Sequence, residues 1–89
     1  MIYLVSYDLI APEQDYPALI DAIKSYSSYC RILKSQWLVY STDTAEEIYL
    51  YLRKYIDEND RILVCELTAN YRAWLSDDAV RWLFKNFLR

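Results

Sequence analysis

The sequence predicts a ferredoxin-like α+β domain, βαββαβ, with one more helix at its C-terminal end. Three observations predict it. Strand-type and helix-type periodicities alternate in the order strand, helix, strand, strand, helix, strand across residues 2–67. The opening run, Ile2-Tyr3-Leu4-Val5-Ser6-Tyr7-Asp8-Leu9, is built from residues that suit a pleated, buried surface, as a strand in the middle of a sheet requires. Turn-like segments separate the periodic ones. In this topology both helices are right-handed crossovers on one face of an antiparallel sheet, and the strands lie in the order 4-1-3-2. The 89 residues form one domain, near the lower size at which a single core forms without staples.

The elements follow in order. After the first strand, Ala11-Pro12-Glu13-Gln14-Asp15 is turn-like, and Pro17 suits the first turn of a helix. Tyr16, Leu19, Ile20, Ile23 and Tyr26 recur at helical spacing and turn one apolar face inward; Ser27-Ser28 ends the helix. Tyr29 to Leu33 and Ser35 to Ser41 read as two strands joined by a turn near Lys34. Thr44 and Glu47 form a capping-box signature, with Ala45, Ile48, Leu52, Tyr55 and Ile56 as the inward face of the second helix. The acidic loop Asp57-Glu58-Asn59-Asp60 closes it, and Arg61 to Leu67 is the fourth strand. The last helix covers residues 76–89: Ser76 caps it, Asp77 and Asp78 suit its positive end, and Lys85 and Arg89 suit the other. Its stripe Val80, Leu83, Phe84, Phe87 and Leu88 must bury against the open sheet face, a sheet edge or a partner subunit.

Composition excludes several function classes. The chain has no histidine, which removes histidine general-base chemistry and His-based zinc sites. It has no glycine, which removes P-loop and Rossmann phosphate cradles and leaves positive-φ turns to Asn59-Asp60 and Asn70. Ten Lys and Arg against thirteen Asp and Glu give a net charge of −3, so the total shows no nucleic-acid footprint. Basic residues cluster only at Arg31 with Lys34, Arg53 with Lys54, and Arg81, Lys85 and Arg89. Cys30 and Cys65 fall on opposite edge strands, three strand spacings or roughly 14 Å apart, too far to bridge. No segment reads as a signal peptide or a membrane span, so a cytoplasmic protein that does not enter the membrane is expected. Ten tyrosines and three tryptophans are more than so small a core can hide, which favours a homodimer.

Asp8 is the residue with the sharpest chemical potential, a carboxylate ending a central strand. It either caps the turn at Leu9 to Ala11 or meets a metal or a base. Tyr7 reads as an interface tyrosine, and Trp37 and Trp74 as core or dimer packing. Arg31 and Lys34 read as charges that keep an edge strand from pairing with another sheet. Asp57, Glu58 and Asp60 read as a solvated loop.

Val5-Ser6-Tyr7-Asp8-Leu9 together with Arg31-Ile32-Leu33-Lys34-Ser35-Gln36-Trp37 resembles the small CRISPR-adaptation nuclease family and its relatives, the VapD-type ribonuclease toxins. The chain is most similar to a SinR-like branch in Ser6-Tyr7-Asp8-Leu9, Gln14-Asp15-Tyr16, Ser35-x-Trp37-Leu38-Val39, Asn59-Asp60 and Trp82-Leu83. It differs in carrying Trp37-Leu38-Val39 where those nucleases have Phe-Glu-Gly, and in ending on a helix rather than a fifth strand. The resemblance implies a homodimer in which Asp8 and its two-fold mate hold Mg2+ or Mn2+ for nucleic-acid cleavage. It also implies that Arg31, Lys34 and Ser35 meet the nucleic-acid backbone. The alternatives are a non-catalytic dimer that binds another protein, as a regulator or mobile-element accessory factor, and a toxin-like ribonuclease.

Overall fold

The computed structural model describes residues 1–11 and 16–88. The expected turn residues 12–15, with the Gln14-Asp15 part of the motif, and Arg89 lie outside the described residues. The elements are β1 (Ile2–Asp8), α1 (Pro17–Ile23), β2 (Ser28–Leu33), β3 (Gln36–Tyr40), α2 (Ala45–Arg53), β4 (Arg61–Leu67) and α3 (Asp77–Phe87). The four strands form one antiparallel sheet in the order β2-β3-β1-β4, so β1 is interior as its composition requires. The fold is α+β and ferredoxin-like.

β1 is apolar on both sides because both faces of the sheet are covered. Tyr3, Val5 and Tyr7 project with Trp37 and Val39 into a core completed by Leu19 and Ile23 of α1 and Ile48 and Leu52 of α2. Both crossover helices therefore lie on one face. The opposite face carries a second, smaller core in which Ile2 and Leu38 meet Leu83 of α3. Each such fully buried side chain contributes about 1.5–3 kcal/mol, more than the roughly 1 kcal/mol of a helix cap. Packing thus decides that α2 is a helix, and its cap decides where it starts. The capping box is present: Glu47 N–H donates to Thr44 Oγ1 at 3.1 Å and Thr44 N–H to Glu47 Oε1 at 2.9 Å.

The buried edge of α3 is not the whole expected stripe. Ala79, Leu83 and Asn86 are buried, whereas Val80 (50% exposed), Phe84 (70%) and Leu88 (70%) face outward. Leu83 on this edge packs against Ile2 and Leu38, and Trp82 Nε1 donates to Ser28 Oγ of β2 at 2.9 Å, so apolar packing and one polar bond hold the same edge of the helix on the sheet. Asn86 Nδ2 donates within the helix, to the Trp82 carbonyl at 2.8 Å. Trp74, expected in a core or an interface, is fully exposed within this chain at 100%.

One local expectation fails for a physical reason. Among the described residues the one positive-φ residue is Tyr16, at φ 34°, not Asn59, Asp60 or Asn70. The loop before β4 avoids left-handed backbone because the Asp60 carboxylate organises it instead. The β2–β3 hairpin, closed by Lys34-Ser35 without glycine, also has no positive φ. A register shift between Arg31 and Leu33 accompanies the tight turn, and such bulges raise the local twist that the flanking strands need. Cys30 and Cys65 are free and half-buried, and burial, with Asp78 nearby, pushes the Cys30 thiol up. Among the described residues no helix is long and apolar enough to cross a membrane.

Candidate functional site

The site lies at the end of the sheet where β1 outruns β3. Pairing of β1 with β3 stops at Ser6 opposite Gln36, and Tyr7 N–H then donates to the Ser35 carbonyl at 3.1 Å. Pairing with β4 continues two residues further, to Asp8 opposite Arg61. The tip of β1 is thereby held between the β2–β3 turn and the start of β4. Asp8, Arg31, Lys34 and Ser35 border one shallow cleft of about 130 Å³, together with Tyr7, Leu9 and Ile20. Residues separated by more than twenty positions in sequence are brought to one place by the strand order alone.

Asp8 is exposed, and its carboxylate has no hydrogen-bond or ion-pair partner among the described residues. One expectation is corrected here. Asp8, exposed at the end of the strand, does not take the Ile10 N–H of the following turn. That donor goes to Asp60 Oδ1 at 2.8 Å.

Asp60 is the residue whose importance the sequence concealed. It is 6% exposed, and its second oxygen accepts from Asp57 N–H at 2.8 Å. The Tyr16 hydroxyl is 3.5 Å from Oδ1. Burial alone raises the Asp60 pKa, but the Ile10 and Asp57 amides, the Tyr16 hydroxyl and nearby Arg53 outweigh it and hold the carboxyl below its ordinary value. Tyr16 shifts upward, first through burial and then through Asp60 and Asp57. Asp57, Glu58 and Asn59 are exposed, as a solvated loop requires, but Asp60 turns inward as a buried brace that fixes the segment just beyond Asp8. An acidic run in sequence carries no signal of which carboxylate turns inward.

Arg31 has a similar double character. Its Nε and Nη2 donate to the Lys34 carbonyl at 3.1 and 2.7 Å, and its guanidinium stands 5.3 Å from the Trp37 ring centre. Trp37 Nε1 donates to the Tyr7 hydroxyl at 3.1 Å, so Tyr7 is a core residue and not an interface one. Arg31 clasps the turn that presents Lys34 and Ser35. The cue in the sequence was the missing glycine, since a tight hairpin without one needs other support.

The electrostatics of this end differ from those of the chain. Arg31, Lys34 and Arg61, all exposed, border the same two clefts as Asp8, the one carboxylate among the described residues that line them, in a protein of net charge −3. Arg61 is tethered through Nη1 to the carbonyls of Asn59 and Asp60, both at 3.2 Å. Among the described residues no group of three or more His, Cys, Asp and Glu could hold a metal ion, and Asp8 is the one carboxylate among the described residues that line this cleft. Such a donor set fits Mg2+ or Mn2+ only where phosphate oxygens and water, or a second chain, complete the coordination. No protein-family model matches the chain.

Proposed function

We propose that this chain binds a nucleic-acid backbone at the Asp8 cleft and acts there as a divalent-metal-dependent nuclease, in keeping with its resemblance to the CRISPR-adaptation nucleases. One observation carries the proposal: an exposed carboxylate with no partner among the described residues shares a cleft with Arg31, Lys34 and Ser35. Lys34 and the outward edge of the Arg31 guanidinium attract a phosphate, and the Ser35 hydroxyl donates to one of its oxygens. Asp8 supplies the protein ligand for Mg2+ or Mn2+, and phosphate oxygens and water fill the remaining positions. A divalent ion held there would supply Lewis-acid polarisation of the phosphate and a more acidic water.

A second reading, a non-catalytic dimer that binds another protein, is favoured by the turn-clasping role of Arg31, which gives that residue a purpose without any ligand.

The two readings separate in one experiment. Free Mn2+ is titrated by EPR against the parent and Asp8→Asn, with single-stranded RNA and duplex DNA cleavage followed in Mg2+, Mn2+ and chelator. The proposal expects Mn2+ binding and chelator-sensitive cleavage in the parent and neither in Asp8→Asn. Because Asp8 is exposed and has no partner among the described residues, the substitution changes stability by less than about 0.5 kcal/mol, so lost activity is not lost fold. Unchanged metal binding in Asp8→Asn, or no cleavage of either substrate by the parent, selects the second reading.

A further inference from the structure

We infer that the outer face of α3, with Trp74, is the surface on which a second copy of this chain docks. The inference extends the dimer reading but does not depend on catalysis at Asp8. Val80, Phe84 and Leu88, spaced by four residues, line the outward side of α3 as a continuous stripe. Beside them Tyr71, Arg72 and Ala73, from the segment before the helix, line a groove of about 500 Å³ together with Phe84, Phe87 and Leu88. Its wall is ordered by the Tyr71 ring stacked on Phe87, 5.6 Å between centres and 15° between planes. Directly after Ala73 stands Trp74, fully exposed.

A projecting apolar knob and an apolar hole on one face of one molecule are the requirement for a self-complementary, two-fold interface. The Trp74 of each copy enters the groove of the other. Charge selects the same partner. Along the flank of the stripe stand Asp77 in the first turn of the helix and Lys85 in its last, with Arg81 between them ion-paired to Asp78 of the same helix. A two-fold axis makes the two α3 helices antiparallel, which sets the Asp77 end of one beside the Lys85 end of the other and opposes their dipoles. Trp74 and Phe84 alone bring roughly 300–500 Å² of apolar surface per copy, against about 800 Å² per partner in a standard interface.

This placement has a consequence for the Asp8 cleft. α3 crosses the sheet at the end where Ile2, Ser28 and Tyr40 lie, as the Trp82–Ser28 bond and the Phe87 contacts with that core show. Asp8 is at the other end of the seven-residue β1, some 20 Å along the strand at about 3.3 Å per residue. A dimer through α3 therefore keeps the two Asp8 clefts apart, each open to its own phosphate, and the metal ion is not shared between copies.

The test is the mass of the full chain by sedimentation at 1–200 µM, about the range of moderate dimers, with Mn2+ binding measured on the same samples. Phe84→Glu and Trp74→Ser alter exposed side chains, and Leu63→Glu alters an exposed residue near Asp8 as a control. The parent and Leu63→Glu are expected to dimerise. Phe84→Glu is expected to be monomeric and Trp74→Ser to weaken dimerisation by at least about tenfold, with Mn2+ binding retained in both. Asp77→Lys is expected to weaken the dimer and Asp77→Lys with Lys85→Asp to restore it. A parent that is monomeric throughout would overturn the inference, including one whose Trp fluorescence responds instead to anionic vesicles. So would dimers that survive Phe84→Glu or dissociate with Leu63→Glu. Loss of Mn2+ binding in every protein would strike the nuclease reading and leave the interface result standing.

Discussion

Replacing Asp60 by Asn tests whether a buried carboxylate, rather than the acidity of its loop, holds the segment after β1. In the folded chain its two oxygens accept from the Ile10 and Asp57 amides, each at 2.8 Å, with the Tyr16 hydroxyl at 3.5 Å. Hydrogen bonds to a charged group contribute about 1.5–3 kcal/mol each. Asn keeps one acceptor without charge and turns an NH2 group toward an amide that also donates, so a loss of about 2–3 kcal/mol is expected. At about 4–8 °C per kcal/mol for a domain of this size, the melting temperature falls by roughly 8–24 °C. The sign with pH follows from the lowered pKa of the folded state. The carboxylate's contribution is complete above its unfolded value of about 3.9 and disappears as pH falls through the folded value. The gap between parent and Asp60→Asn should therefore be constant above about pH 5 and narrow below about pH 4. Urea denaturation followed by tryptophan fluorescence between those limits measures it, and amide exchange at Ile10 reports the local loosening. A gap below about 0.5 kcal/mol at neutral pH, or one that stays undiminished in acid, would refute the charge-based account.

Burial, with Asp43 and Tyr51 nearby, pushes the Tyr26 pKa up to about 12. Its folded value exceeds the unfolded value near 10, so stability present below about pH 10 is lost as pH rises toward the folded value; Tyr26→Phe should flatten that alkaline decline in urea melts. Leu83→Ala removes the centre of the second core and is expected to cost about 2–5 kcal/mol. A cost under about 1 kcal/mol would mean α3 does not depend on the open sheet face for its place.

What could be read from the amino-acid order was whatever short-range chemistry controls. The alternation of periods gave the order of strands and helices, the apolar Ile2–Val5 run placed β1 inside the sheet, and Thr44 with Glu47 marked the start of α2. Each of these signals spans a few residues and acts in the unfolded chain as it does in the folded one. The fold topology then brought Asp8, Arg31, Lys34 and Ser35 to one end of the sheet, as the strand order 4-1-3-2 requires. What tertiary structure alone decided was which of several similar side chains turns inward. Five apolar residues of α3 offered a stripe too broad to choose its own inner edge, and the packing of Leu83 on Ile2 and Leu38, with the Trp82–Ser28 bond between residues 54 positions apart, chose it. Three acids in one loop were equivalent until the Ile10 amide, 50 positions away, took the carboxylate of Asp60. Trp74 is left outside for the same reason: its neighbours in sequence cannot say whether a surface will be near, because burial is set by partners that only the packed chain, or a second copy of it, brings alongside.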